Sequence, residues 1–261
     1  MNKNPTALRI IHVALFTRNP HDLAPFYRDA FGMKIVHVGG AVQLWDGHIL
    51  LALNPWRGVG EEKLRIDEVG EPQAKGFDHF GFKIENLEET KGLLKRAGCD
   101  TEVMKRPAGR TFTEWRAHDL EGNRIDLSER GYKPVSVEKL QQIEVDVASE
   151  INRIVIGSAN PARLAEFYRA AFGMEISYQS ADRVTLTDGR MQLLLLTPGT
   201  ESPSGFHCLG FRLLDEKRML QRAAELGATV SRASDWENAE KHQYLFRDPD
   251  DNLLALFGNS G

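Results

Sequence analysis

Hydrophobic and polar positions alternate along this chain in short bursts whose period switches between two and three to four residues. RIIHVALF from Arg9 alternates as a strand does, and HDLAPFYRDAF from His21 repeats its apolar residues at helical spacing up to a stop at Gly32. MKIVHV, AVQLW and HILLALN follow as short strands, parted by Gly39-Gly40 and Asp46-Gly47. FDHFGFKI then reads as a strand, ENLEETKGLLKRAG as a helix closed at Gly98, and TFTEWRAH and NRIDLSE as two strands joined by the turn Glu121-Gly122-Asn123. The order is strand, helix and three strands, stated twice.

The same order is then stated again. IHVALFTRNPHDLAPFYRDAFGM from Ile11 returns as NRIVIGSANPARLAEFYRAAFGM from Asn152, GFDHFGFKI as GFHCLGFRL from Gly205, and HDLEGNRIDL as RDPDDNLLAL from Arg247. The chain is an internal duplication of four βαβββ modules, and each copy is a control for the other. Residues 7–130 form one domain and 151–258 the second; the stretch 131–150, GYKPVSVEKLQQIEVDVASE, has no counterpart and reads as a linker. The first copy also carries an insertion after Asn54, WRGVGEEKLRIDEVGEPQAK, longer than a turn needs and suited to a lid.

The copies disagree where chemistry is concerned. In register, His12 falls on Arg153, His79 on Cys208 and Asp126 on Ala255, so two histidines and a carboxylate are present in one copy and absent from the other. A lone strand histidine is more often a core residue than a ligand, but drift rarely vacates three such positions together. Ile125 and Leu127 alternate with Arg124, Asp126 and Ser128, which sets Asp126 on the face opposite the helix-packed core. By the same alternation Gln43 and Trp45 share that face, as do Glu114, Arg116 and His118 on their strand. Arg116, opposite Leu245, is either a clamp for a substrate oxygen or one half of an ion pair; Glu114 or His118 is a candidate acid or base.

Composition narrows the partners. The 261 residues hold 33 Lys and Arg against 37 Asp and Glu, a net charge of −4, which gives no basic surface for nucleic acid or membrane. The apolar runs are strand-sized, the start MNKNPTALR has no signal-peptide core, and only Cys99 and Cys208 occur. The expectation is a cytoplasmic protein without disulfides that acts on a small-molecule substrate, with a homo-oligomer allowed.

The paired βαβββ modules, the FYRDAFGM helix end and the DLEGNRIDL turn and strand resemble the vicinal oxygen chelate superfamily of glyoxalases, extradiol dioxygenases, epimerases, fosfomycin-resistance enzymes and bleomycin-binding proteins. The resemblance implies an α+β fold of two glyoxalase/dioxygenase-like domains, each a cup-shaped mixed sheet with outer helices. It places metal ligands at the positions of His12, Ala52, His79 and Asp126, so the fourth-strand ligand is missing and a two-histidine, one-carboxylate triad remains. Relatives usually place Glu where Asp126 stands.

Three activities follow from the resemblance. The leading one is an Fe(II) extradiol-like dioxygenase working on a small aromatic or vicinal-oxygen substrate, with Trp45 and Trp56 suited to an aromatic ring. Against it, the dioxygenase pattern has a Tyr where this chain has Arg116, and the catalytic His upstream of that Tyr is also absent. The second is a redox-neutral lyase, isomerase or epimerase using Mn, Ni, Zn or Co. The third is a non-catalytic, resistance-type ligand-binding protein, which would have no use for His12, His79 and Asp126.

Overall fold

The computed structural model describes residues 8–56, 65–66, 72–73, 75–99, 104–105, 115–131, 137–198, 204–232 and 243–258. The first copy runs β1 (Arg9–Thr17), α1 (Pro20–Phe31), β2 (Lys34–Val38), β3 (Val42–Trp45), β4 (Leu50–Pro55), β5 (Arg65–Ile66), β6 (Pro72–Gln73), β7 (Gly76–Lys83), α2 (Leu87–Arg96), β8 (Met104–Lys105), β9 (Trp115–His118) and β10 (Arg124–Ser128). After α3 (Val137–Gln141), the second copy repeats the plan: β11 (Ser149–Gly157), α4 (Pro161–Phe172), β12 (Glu175–Gln179), β13 (Arg183–Thr187), β14 (Gln192–Leu196), β15 (Gly205–Leu213), α5 (Glu216–Glu225), β16 (Ser231–Arg232), β17 (Gln243–Arg247) and β18 (Leu253–Phe257). Each copy is one mixed eight-stranded sheet, ordered β2-β3-β4-β1-β7-β10-β9-β8 in the first and identically in the second. The expected α+β fold of four βαβββ modules is thereby found.

Local chemistry sets the first helix. Asn19 caps it by accepting the His21 N–H, and Gly32 ends it at φ 80° with its own N–H bonded to the Arg28 carbonyl. A Cβ on Gly32 would lie 2.5 Å from the Asp146 carbonyl oxygen, so both the left-handed turn and the close approach of the connector demand glycine. Asn160 and Gly173 repeat the device in α4.

The helices lie outside each cup, and that puts them in the middle of the molecule, where one continuous core draws on both copies. Phe31 of α1 stacks on Phe211 of β15 and Phe172 of α4 on Phe82 of β7, each with ring centroids 4.0 Å apart. Two buried tyrosines cross the same boundary: Tyr27 donates to Asp248 at 2.8 Å, and Tyr168 to Asp119 at 2.7 Å. Asp119 heads the turn between β9 and β10 and takes the Glu121 and Asn123 N–H groups on its other oxygen. The second copy thus holds the turn that aims the last two strands of the first.

The connector does more than connect. Leu140 of α3 is fully buried on Trp45 and Leu50, flanked by Ile11, Val36, Ile143 and Val145. In the second copy the four sheet positions under this cover are Thr187, Gln192, Asn152 and Ser177, which are polar. Residues 137–145 therefore cover an apolar patch that only the first sheet possesses. Of the insertion, β5 and β6 pair as a short antiparallel ribbon, and Lys75 at its end donates to the Asp250 carbonyl of the second copy. The rest of the expected lid lies outside the described residues. Among the described residues no helix is long and apolar enough to cross a membrane.

Candidate metal centre

Strand register brings the candidate donors into two neighbouring rows on the concave face of the first sheet. One row runs Trp45, Leu50, His12, Gly81, Asp126 and Arg116; the next runs Gln43, Ala52, Ala14, His79, Arg124 and His118. Gly81 carries no side chain between His12 and Asp126, and Ala14 and Ala52 leave the floor beside His79 shallow. One ligand atom from each of His12, His79 and Asp126 lies within 4.8 Å of the others, and all three residues are buried. It is the one such group of three donors found among the described residues.

The donors hold one another in a charged network. Arg116, only 2% exposed, places Nε at 2.9 Å and Nη2 at 2.8 Å from the same Asp126 oxygen, Oδ1. The other oxygen, Oδ2, faces His79 Nε2 at 3.1 Å. On the far side of that ring, Nδ1 is 2.6 Å from Asp78 Oδ2, and Asp78 Oδ1 is ion-paired with Arg124. Burial and then the neighbouring His79 lower His12 to about 3, so it is neutral at ordinary pH with a lone pair to give. Burial also opposes charge on His79, but the attraction of Asp126 and hydrogen bonds to Asp126 and Asp78 together outweigh it and raise its pKa.

This donor set fits a divalent ion. Two imidazoles and a carboxylate match the borderline ions Fe, Mn, Ni, Zn and Co. The 3.1 Å between His79 Nε2 and Asp126 Oδ2 is close to the roughly 3 Å between adjacent ligands around an ion bonded at about 2.1 Å. Ala52, where the family resemblance expects a fourth ligand, has only a methyl group and offers no donor.

The remaining candidates are placed less simply. Gln43 is buried in register with Ala52, and Trp45 is buried under α3, which separates it from the open face. Trp56, half-buried at the end of β4, donates its backbone N–H to Thr17 at 2.7 Å, and its indole nitrogen is buried without a hydrogen-bond partner among the described residues. His118 is half-buried opposite Arg124. Glu114 lies outside the described residues. Alternation does not reveal Asp78, since neighbours on a strand should face opposite ways. A bulge in β7, where Ala14 pairs with His79 and Leu15 with Phe77, leaves Asp78 as the extra residue and turns it to the His79 side.

The second cup is built differently. Val155, Leu194, Cys208, Ala255 and Phe257 form an apolar cluster there. Arg153, in the place of His12, stacks on Phe257 at 3.8 Å and donates to Gln192 at 2.8 Å, while burial pushes the Cys208 thiol far up.

The fold recurs in known proteins. Residues 9–127 match the family model of the glyoxalase/bleomycin resistance protein/dioxygenase superfamily, and residues 153–257 match that of a glyoxalase-like domain. Glyoxalase I of Saccharomyces cerevisiae is 23% identical over 202 residues, a match that covers 66% of this chain and 59% of that protein. The chain therefore spans less than two thirds of that relative's length. The 2,3-dioxygenase LapB from Pseudomonas sp. KL28 superposes with a TM-score of 0.70 at 16% identity over 97% of this chain and 93% of its own. The Mn(II)-bound glyoxalase from Novosphingobium aromaticivorans does so with a TM-score of 0.67 at 14% identity over 98% and 83%. At such identities the likeness is one of fold. With both halves matched by the same superfamily and a two-domain architecture to suit, the chain belongs to the glyoxalase/bleomycin resistance protein/dioxygenase, or vicinal oxygen chelate, superfamily.

Proposed function

We propose that the chain is a metal-dependent enzyme with a single working centre at His12, His79 and Asp126, and that it acts as an Fe(II) extradiol-like dioxygenase on a small aromatic substrate bearing neighbouring oxygens. The observation that carries this reading is a buried triad of two histidines and one carboxylate, with Ala52 where a fourth ligand would stand. Fe(II) held by His12, His79 and Asp126 would supply the means to activate dioxygen beside the substrate's neighbouring oxygens. The chain's own residues supply the setting. Burial excludes water, His12 stays neutral, and Asp126 is divided between Arg116 on one oxygen and the donor space on the other. Arg116 also places a fixed positive charge beside that space, where negative charge on a substrate oxygen would be favoured. His118 and Glu114 are the candidates to move a proton, and Gln43 and Trp56 to contact the substrate.

A redox-neutral lyase or isomerase using Mn, Ni, Zn or Co is the second reading. Arg116, where dioxygenases carry a Tyr, favours it, as does the match to glyoxalase I. Anaerobic purification, elemental analysis and oxygen uptake against a panel of catechols test the choice. The dioxygenase reading expects about one iron per chain and oxygen consumption coupled to ring cleavage. A bound metal with no oxygen uptake, together with turnover of a hemithioacetal or 2-oxo substrate, would replace it by the second.

A further inference from the structure

Asp78 and Arg124 form a half-buried charged pair behind the centre, and neither binds metal or substrate in the reading above. Their placement is specific. The bulge that turns Asp78 to the His79 side is kept in the second copy, where Val155 pairs with Cys208 and Ile156 with Phe206. The residues there, however, are His207 for Asp78, Cys208 for His79 and Leu253 for Arg124. The pair and the histidine it serves are thus present together in one copy and absent together from the other, although the backbone that carries them is the same.

The contact also decides which ring nitrogen bears the proton. Two groups approach His79 Nδ1: the Asp78 carboxylate at 2.6 Å, which only accepts, and Arg116 Nη2 at 3.3 Å, which only donates. The shorter, charge-assisted contact requires a hydrogen on Nδ1, so in the neutral ring Nε2 is the atom with the lone pair to give, and Nε2 is the atom that faces Asp126 Oδ2. Arg124, ion-paired with the other oxygen of Asp78, holds that carboxylate in place.

We propose that Asp78 is a positioning residue, which fixes the tautomer and ring orientation of His79 so that Nε2 is presented to a metal ion, with Arg124 holding Asp78. The proposal rests on the metal-centre reading for its purpose but not for its geometry. The test uses the full chain, stripped of metal, in two measurements: Zn(II) affinity by competition with a chromophoric chelator, and the ¹⁵N spectrum of the His79 ring in metal-free protein. At a pH where the ring is neutral, wild type should show its one hydrogen on Nδ1. Asp78→Asn should mix the tautomers and weaken Zn(II) binding roughly 10- to 100-fold, the usual effect of losing a carboxylate behind a metal-bound histidine. Arg124→Leu should weaken it less, and Arg124→Lys should restore it. If Asp78→Asn fails to fold, the double variant Asp78→Asn with Arg124→Leu, which removes both charges together, carries the same test. Unchanged affinity in a folded variant, or weaker affinity with the tautomer unmoved, overturns the proposal. If wild type binds no Zn(II), the metal-centre reading falls, and the ring spectrum alone still decides whether Asp78 sets the His79 tautomer.

Discussion

Replacing Arg116 by leucine, the residue at the equivalent position of the second copy, separates what the arginine does for the fold from what it does for the centre. Its guanidinium is almost wholly buried and grips Asp126 Oδ1 with two nitrogens at 2.9 and 2.8 Å. Removing one member of such a buried pair costs about 3–5 kcal/mol, mostly because the other is left charged in a poor solvent. Here His79 remains 3.1 Å from the second Asp126 oxygen and Leu245 shows that the fold accepts leucine, so the lower end, about 3 kcal/mol, is expected. In a chain of this size that is a fall in melting temperature of about 6–12 °C for the metal-free protein. A divalent ion would replace the lost positive charge beside Asp126. Saturating metal should therefore recover at least half of the deficit, and the variant should bind the ion more tightly than wild type. Melting curves with excess chelator and with excess Mn(II) or Zn(II) read both quantities. Equal losses with and without metal, or no loss under chelator, would refute the assignment of Arg116 as the counter-charge of a metal ligand.

Other outcomes follow from the same structure. His12 has its folded pKa lowered to about 3, so below about pH 6.5 the unfolded chain takes up a proton that the folded one refuses, and stability falls with pH from there towards 3 by up to ~1.4 kcal/mol per unit; urea unfolding of metal-free wild type and His12→Asn at pH 6.5 and 5 should show a shallower fall in the variant. Leu140→Ala should cost about 2–3 kcal/mol and shift Trp45 fluorescence to the red, because Leu140 is the α3 residue buried on that indole; an unmoved spectrum would mean that α3 is dispensable. Expressed separately, residues 7–130 should aggregate or stay unfolded, since Phe82 loses Phe172 and Asp119 loses Tyr168; a soluble half with wild-type near-ultraviolet dichroism would contradict a shared core.

Much of this was legible in the sequence, because duplication supplies a reference that single chains lack. The βαβββ order, the helix stop at Gly32 and the cup-facing parity of Arg116 and Asp126 follow from local periodicity and turn chemistry, and the structure places these elements accordingly. Asp78 was hidden for a local reason: period-two reasoning fails by one residue at a bulge, and a bulge leaves no periodic trace. The role of 131–150 was hidden for a global one. Its apolar residues, Leu140, Ile143 and Val145, find their partners on strands far away in sequence, and nothing in the connector itself names them. The internal control marks both places: His207 stands at the position of Asp78, and Thr187, Gln192, Asn152 and Ser177 at those of Trp45, Leu50, Ile11 and Val36.

The contrast between the two cups also bears on why the donors are where they are. Burying His12, His79 and two carboxylates in one sheet is unfavourable unless each is satisfied by the others, and replacing such a network by apolar residues is often neutral or stabilising. The second cup has apolar residues at four of these positions: Cys208, Ala255, Leu245 and Leu253 stand where His79, Asp126, Arg116 and Arg124 stand in the first, and they pack with Val155, Leu194 and Phe257. Nothing in the shared backbone forced a different outcome on the first cup, because strand order, bulge and turn are the same in both. Fold stability therefore does not account for His12, His79, Asp126 and their ionic surroundings. A demand that stability does not make, placed on the one cup whose edge is sealed by α3, is what a binding centre imposes on its residues.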